Sequence, residues 1–124
     1  MQKILCVDDS ADNCELLTFI LSNEGYQIET ASSVAKGLQA ARNGSFVLYL
    51  IDLTLADGSG IDLILNIREF DSSTPIAVCS GDGRESVKTA VEQAGVQAFL
   101  LKPIDPETLV EIVVSLMSDR QVSP

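Results

Sequence analysis

Residues 46–52 read FVLYLID, six consecutive apolar residues closed by a carboxylate. An unbroken apolar run of this length fits a strand covered on both faces, as in the middle of a parallel sheet. Three other short apolar runs also stop at polar residues. KILCV ends at Asp8-Asp9, PIAVC at Ser80 and AFLL at Lys102. If all four are strands of one parallel sheet, their ends share an edge. Three carboxylates, a hydroxyl and an ammonium then converge on a space that suits one metal ion and one phosphoryl group.

Outward from these runs, the chain alternates between strand-like and helix-like segments. Strands are expected over 4–7, 27–31, 46–51, 76–79 and 98–101, and helices near 12–23 and 60–70. Three more helices follow from apolar spacing at i, i+3, i+4 and i+7. Their stripes are Val34, Gly37, Leu38 and Ala41; Val87, Ala90, Val91 and Ala94; and Leu109, Ile112, Val113 and Leu116. Gly25, Gly44 and Gly95 each follow a helical stripe, where a left-handed residue is wanted. Asp105 is placed to cap the last helix and Pro106 to occupy its first turn. Five strands, each followed by a helix, predict an α/β fold with a doubly wound five-stranded parallel sheet and helices on both faces. Residues 53–60 read as a loop. The whole chain, 1–124, reads as one domain with a frayed tail from 119.

Composition narrows the function classes. The 18 Asp and Glu against 8 Lys and Arg give a net charge of −10, and no basic run offers a footprint for a phosphate backbone, so direct nucleic-acid binding is not expected. The longest uncharged apolar stretch, 45–51, is far below the roughly 20 residues that span a bilayer. Met1 leads almost directly into the first apolar run without a secretion signal, and a cytoplasmic location is expected. Cys6, Cys14 and Cys79 lack metal-ligand spacing, and two of them lie inside strand runs, so they read as small buried hydrophobes. The absence of histidine removes the commonest general base and metal ligand.

The strand-end residues suggest a definite chemistry. Two carboxylates held about 4 Å apart repel by about 4 kcal/mol at an effective dielectric of 20. A divalent cation relieves that repulsion, and an all-oxygen ligand set of Asp8, Asp9 and Asp52 suits Mg²⁺, with Mn²⁺ as a substitute. Lys102 supplies a point charge and Ser80 a hydroxyl donor for phosphoryl oxygens. Asp52, on the central strand, is the candidate nucleophile, since a carboxylate can form an acyl phosphate. Strand-end acids often merely cap the next helix. Asp8-Asp9 alone would allow that reading; Asp52 and Lys102 together with them argue for a site.

This pattern resembles the receiver domain of bacterial two-component response regulators, over essentially the whole chain. The resemblance implies a CheY-like, flavodoxin-like (βα)5 three-layer sandwich with strand order 2-1-3-4-5. It matches Asp8 and Asp9 to the acidic pair, Asp52 to the phosphoacceptor, Ser80 to the hydroxyl switch, Phe99 to the aromatic switch and Lys102-Pro103 to the Lys-Pro step. It further implies a metal ligand at the Thr54 backbone carbonyl, a cis Lys102-Pro103 bond, and tuning of dephosphorylation by Thr54 and Asp82. Ala56 stands where the family commonly has Pro, and Gly81 where Ala is frequent.

On this resemblance the chain accepts a phosphoryl group onto Asp52 from a sensor histidine kinase or phosphotransfer domain, in a Mg²⁺-dependent, self-directed reaction with slow autodephosphorylation. Phosphorylation then switches a surface read by a downstream protein. The chain is expected to be a monomer or a weak homodimer through the last two helices. The alternative is a receiver-like interaction module that signals without phosphorylation. An aspartyl phosphatase would want a second carboxylate at position 54, and a flavodoxin a hydroxyl- and Gly-rich phosphate loop where Asp8-Asp9 stand. With no effector domain, the chain reads as a stand-alone receiver, a phosphorelay intermediate or a fragment; Met1 and the short tail favour the first two.

Overall fold

The computed structural model describes residues 2–122, with side chains described through 118. Strands β1 (Lys3–Val7), β2 (Gln27–Ala31), β3 (Leu48–Asp52), β6 (Ile76–Ser80) and β7 (Ala98–Leu101) form one parallel sheet in the order β2-β1-β3-β6-β7. Counted within the sheet alone, this is the order 2-1-3-4-5. Between β3 and β6 lie a two-stranded antiparallel hairpin, β4 (Thr54–Leu55) and β5 (Gly58–Ser59), and helix α3 (Gly60–Phe70). The other helices are α1 (Ala11–Asn23), α2 (Val34–Asn43), α4 (Glu85–Gln93) and α5 (Pro106–Val122).

Successive strand residues point to opposite faces, and the core divides accordingly. Ile4, Cys6, Leu48, Leu50, Ala77 and Cys79 pack against Leu17 and Leu21 of α1 and Leu109, Val113 and Met117 of α5. Leu5, Val7, Tyr49, Ile51, Ile76 and Val78 face the other way, onto Ala41 of α2, Leu63, Ile64 and Ile67 of α3, and Val91 of α4. β3 is buried along its whole length, as its unbroken apolar run requires. Each fully buried Leu or Ile here contributes about 1.5–3 kcal/mol relative to exposure.

Short oxygen-bearing side chains fix the starts of four helices, whereas α4 begins after Arg84 without a side-chain cap. Ser10, Ser33 and Ser59 accept amide hydrogens at the starts of α1, α2 and α3, and Asp105 accepts from Thr108 N at 2.9 Å in front of Pro106. Gly25 and Gly95 follow helices at φ +93°. Gly44 departs from expectation: its backbone is extended, at φ −118° and ψ 178°. Glycine is needed there for space, because a Cβ would meet the Phe46 ring at 2.7 Å. Phe46 itself precedes β3, which starts two residues later and ends one later than its apolar run suggested. Its ring packs on Tyr49 at 5.8 Å between centroids. α5 continues to Val122, through most of the segment expected to fray; residues 123–124 lie outside the described ones.

Candidate functional site

Register brings the strand-end residues together. Val7 pairs with Ile51 across β1 and β3, so Asp8 and Asp52 leave the same edge side by side. Asp52 pairs with Cys79, and Ser80 with Leu101, which places Ser80 and Lys102 along that edge. The Lys102 amide donates to the Ser80 carbonyl at 2.8 Å.

Carboxylate oxygens of Asp8, Asp9 and Asp52 lie within 4.8 Å of one another, with Asp8 and Asp52 buried and Asp9 exposed. Such a cluster of hard oxygen donors has the composition of a divalent-metal site. Lys102 Nζ donates to Asp8 Oδ2 at 3.2 Å and to Asp52 Oδ2 at 3.1 Å, bridging the two buried acids. Burial opposes the ammonium's charge, but bonds and charge from Asp52 and Asp8 outweigh it and raise the Lys102 pKa.

The two buried carboxylates are held differently. Asp8 accepts from Ser10 N at 2.9 Å on Oδ1 and from Asn13 Nδ2 at 3.3 Å on Oδ2, in addition to Lys102. Among the described residues, Asp52 accepts only from Thr54 N, at 3.2 Å on Oδ1, and from Lys102. Burial pushes the Asp52 carboxyl above its usual range, with Asp8 adding to the rise; the Thr54 amide and Lys102 offset part of it. The Cys14 thiol donates to the Asp8 backbone oxygen at 3.3 Å.

Ser80 stands at the same edge, 4% exposed, with its hydroxyl engaged by its own loop. Asp82 N donates to Ser80 Oγ at 3.0 Å, and the Asp82 carboxylate is gripped by Arg84 through Nε at 2.9 Å and Nη2 at 2.6 Å. Phe99 is half-buried on β7, in register with Val78, and Lys88 Nζ lies 5.7 Å from its ring centre. It thus packs toward α4, apart from the carboxylates. Thr54 opens the hairpin, and the Lys102–Pro103 bond is cis.

Sequence reasoning missed Asn13, Ser10 and Arg84 as neighbours of the site residues. Ser10 carried a signal, as a helix-capping residue beside an acid; the partners of Asn13 and Arg84 depend on loop conformation. Gly60 was also missed. A side chain there would collide with the Asp52 carbonyl oxygen and come within 2.8 Å of the Leu53 Cα.

Residues 4–114 match the model of the response regulator receiver domain. The chain belongs to that family. It is 36% identical over 121 residues to the response regulator protein PilR of Pseudomonas aeruginosa, covering 96% of this chain and 27% of PilR. The transcriptional regulatory protein ZraR of Klebsiella oxytoca is 33% identical, with 86% of this chain and 24% of ZraR covered. The chain therefore spans about a quarter of the length of these curated relatives. Among solved structures, the CheY-like receiver domain protein of Methanospirillum hungatei superposes with a TM-score of 0.92 at 27% identity, covering 99% of each chain.

As a receiver, the chain is a phosphorylation-dependent signalling module of a two-component system, a phosphoacceptor rather than an enzyme acting on a separate substrate. No helix among the described residues is long and apolar enough to cross a membrane.

Proposed function

We propose that this receiver takes a phosphoryl group onto Asp52 from the phosphohistidine of a sensor kinase or phosphotransfer domain. One observation carries the assignment: Asp52 belongs at once to the acid cluster and to the Lys102 bridge, while among the described residues fewer donors restrain it than restrain Asp8. An Asp52 oxygen attacks phosphorus; an O–P bond forms, the P–N bond breaks, and its electron pair returns to the imidazole nitrogen.

Asp8, Asp9, Asp52 and the Thr54 carbonyl would hold Mg²⁺, or Mn²⁺ in its place. When bound, the ion supplies positive charge for the phosphoryl oxygens. Lys102 moves its charge from the carboxylates to a phosphoryl oxygen, and Ser80 donates its hydroxyl after leaving the Asp82 amide. That turn of Ser80 gives Phe99 room to move inward and remodels the α4–β7–α5 face, where Leu101 is 55% and Val114 47% exposed. A downstream protein, or a second copy of the chain in a weak dimer, would read that face. Thr54 and Asp82 border the path of water to phospho-Asp52 and set its lifetime. With a net charge of −10, nucleic acid is not an expected partner of this chain. Action in the cytoplasm, where kinase phosphohistidines form, fits this chemistry.

The test is intact mass after incubation with acetyl phosphate and Mg²⁺. One added phosphoryl group, lost with EDTA and in Asp52→Asn, supports the reading. No adduct on the wild type would leave a receiver fold that signals by contact alone.

A further inference from the structure

The turn of the β4–β5 hairpin makes a contact that neither the sheet nor the phosphoryl chemistry requires. Asp57, exposed at the turn, has both carboxylate oxygens taken by backbone amides of α2. Oδ1 accepts from Val34 N at 2.8 Å and Oδ2 from Ala35 N at 3.1 Å, across 23 and 22 positions of sequence. The first amides of a helix have no partners within it, and a negative charge suits that end of the helix dipole. Ser33 already caps this helix by accepting from Lys36 N at 3.1 Å. Asp57 therefore does more than begin α2: it ties a distant turn to it.

The other end of the hairpin is the acidic pocket. Thr54 N donates to Asp52 Oδ1 at 3.2 Å, Thr54 pairs with Ser59, and Leu55 with Gly58. Gly60 N closes the base by donating to the Leu53 carbonyl at 2.9 Å. The paired strands are only two residues each, and Ala56 leaves the backbone of the turn freer than a proline would. A hairpin this short is not stable by itself, so its position depends on what holds its two ends.

We propose that Asp57 is a positioning residue for the metal: by fastening the hairpin turn to α2, it fixes Thr54 beside Asp52 so that the Thr54 carbonyl is presented to the ion. The inference rests on the reading of the pocket given above. Its most direct consequence is on metal affinity, because the Asp57 carboxylate itself is taken up by the α2 amides.

The experiment is a titration with Mn²⁺, with free ion followed by electron paramagnetic resonance, on wild type, Asp57→Ala, Asp57→Asn, Ser33→Ala and Asp9→Ala. Loss of a group that orients a metal ligand weakens binding, and Asp57→Ala is expected to bind Mn²⁺ about tenfold more weakly. Asp57→Asn keeps one acceptor oxygen and should recover part of the loss. Ser33→Ala removes a cap from the same helix without touching the hairpin and should bind as the wild type does. At saturating Mn²⁺, labelling of Asp57→Ala by acetyl phosphate should return to the wild-type rate. Wild-type affinity in Asp57→Ala, or an equal loss in Ser33→Ala, would overturn the proposal. Asp9→Ala separates the two levels: if it also binds as the wild type does, the pocket reading itself fails, whereas weakened Asp9→Ala beside unchanged Asp57→Ala removes only the hairpin's role.

Discussion

Lys102 Nζ lies 3.1 Å from Asp52 Oδ2 although Lys102 follows β7 and Asp52 ends β3, with β6 between the two strands. The lysine stem reaches across a whole strand, and its ammonium also meets Asp8, just past the end of β1, at 3.2 Å. A compact ammonium with three rotatable donors can exchange a carboxylate for a phosphoryl oxygen more readily than a planar guanidinium fork. In the absence of metal, the same charge limits repulsion between the two buried acids.

Replacing Lys102 with Ala should therefore have two separable effects. Without metal, the uncompensated carboxylates cost about 1–3 kcal/mol of stability, read by urea unfolding. Saturating Mg²⁺ should restore much of that loss. Labelling by acetyl phosphate should stay slower by about 10²-fold or more even with metal, since a donor to developing phosphoryl charge is gone.

Asp52→Asn should stabilise the metal-free protein at neutral pH, by about 1 kcal/mol or about 4 °C in Tm. The sign follows from the raised carboxyl of Asp52. A folded-state pKa above the unfolded value means that the native state holds the proton more tightly, so stability falls as pH rises through that interval. The advantage of Asn should thus be full above the raised pKa of Asp52 and fade as pH is lowered through it. An advantage that grows on acidification would contradict the assignment.

Metal should act in the same direction as that substitution. A ligand that binds only the folded state at about 100 times its dissociation constant stabilises by about 2.7 kcal/mol. Differential scanning calorimetry of the wild type with and without Mg²⁺ should show this rise, and Asp9→Ala should show much less of it.

Gly60→Ala tests whether the backbone next to Asp52 is as tight as the geometry indicates. The new methyl would collide with the Asp52 carbonyl oxygen. A cost of about 1–3 kcal/mol is expected, together with weaker Mn²⁺ binding, because the strand end must shift. Gly81→Ala is the control: a Cβ there meets nothing within 4 Å.

The fold and the main site were legible because four apolar runs stop at chemically distinctive residues, and a parallel register leaves those residues little choice but a common edge. The limits are equally local. The β4–β5 hairpin, with two residues to a strand, is too short for periodicity to register, so 53–60 read only as loop. Gly44 looked like a left-handed cap, yet its smallness serves the Phe46 ring. Asp57 reads in the sequence only as a solvated or capping charge, and which helix it caps is hidden because its partners are amides 22 and 23 residues away. Arg68 left no trace for a similar reason. It donates to the backbone oxygens of Asp71, Thr74 and Gly95 and to Gln97 Oε1, at the end of the sheet away from the pocket. Backbone acceptors have no side-chain identity for a sequence to display.

The central claim is that Asp52, and not Asp8 or Asp9, carries the phosphoryl group. It is tested most directly by treating the protein with acetyl phosphate and Mg²⁺, reducing the acyl phosphate to an alcohol with borohydride, and mapping the product by peptide mass spectrometry. Reduction at Asp52 alone, absent when EDTA is present, is the expected result. Reduction at Asp8 or Asp9 with Asp52 untouched would contradict the account.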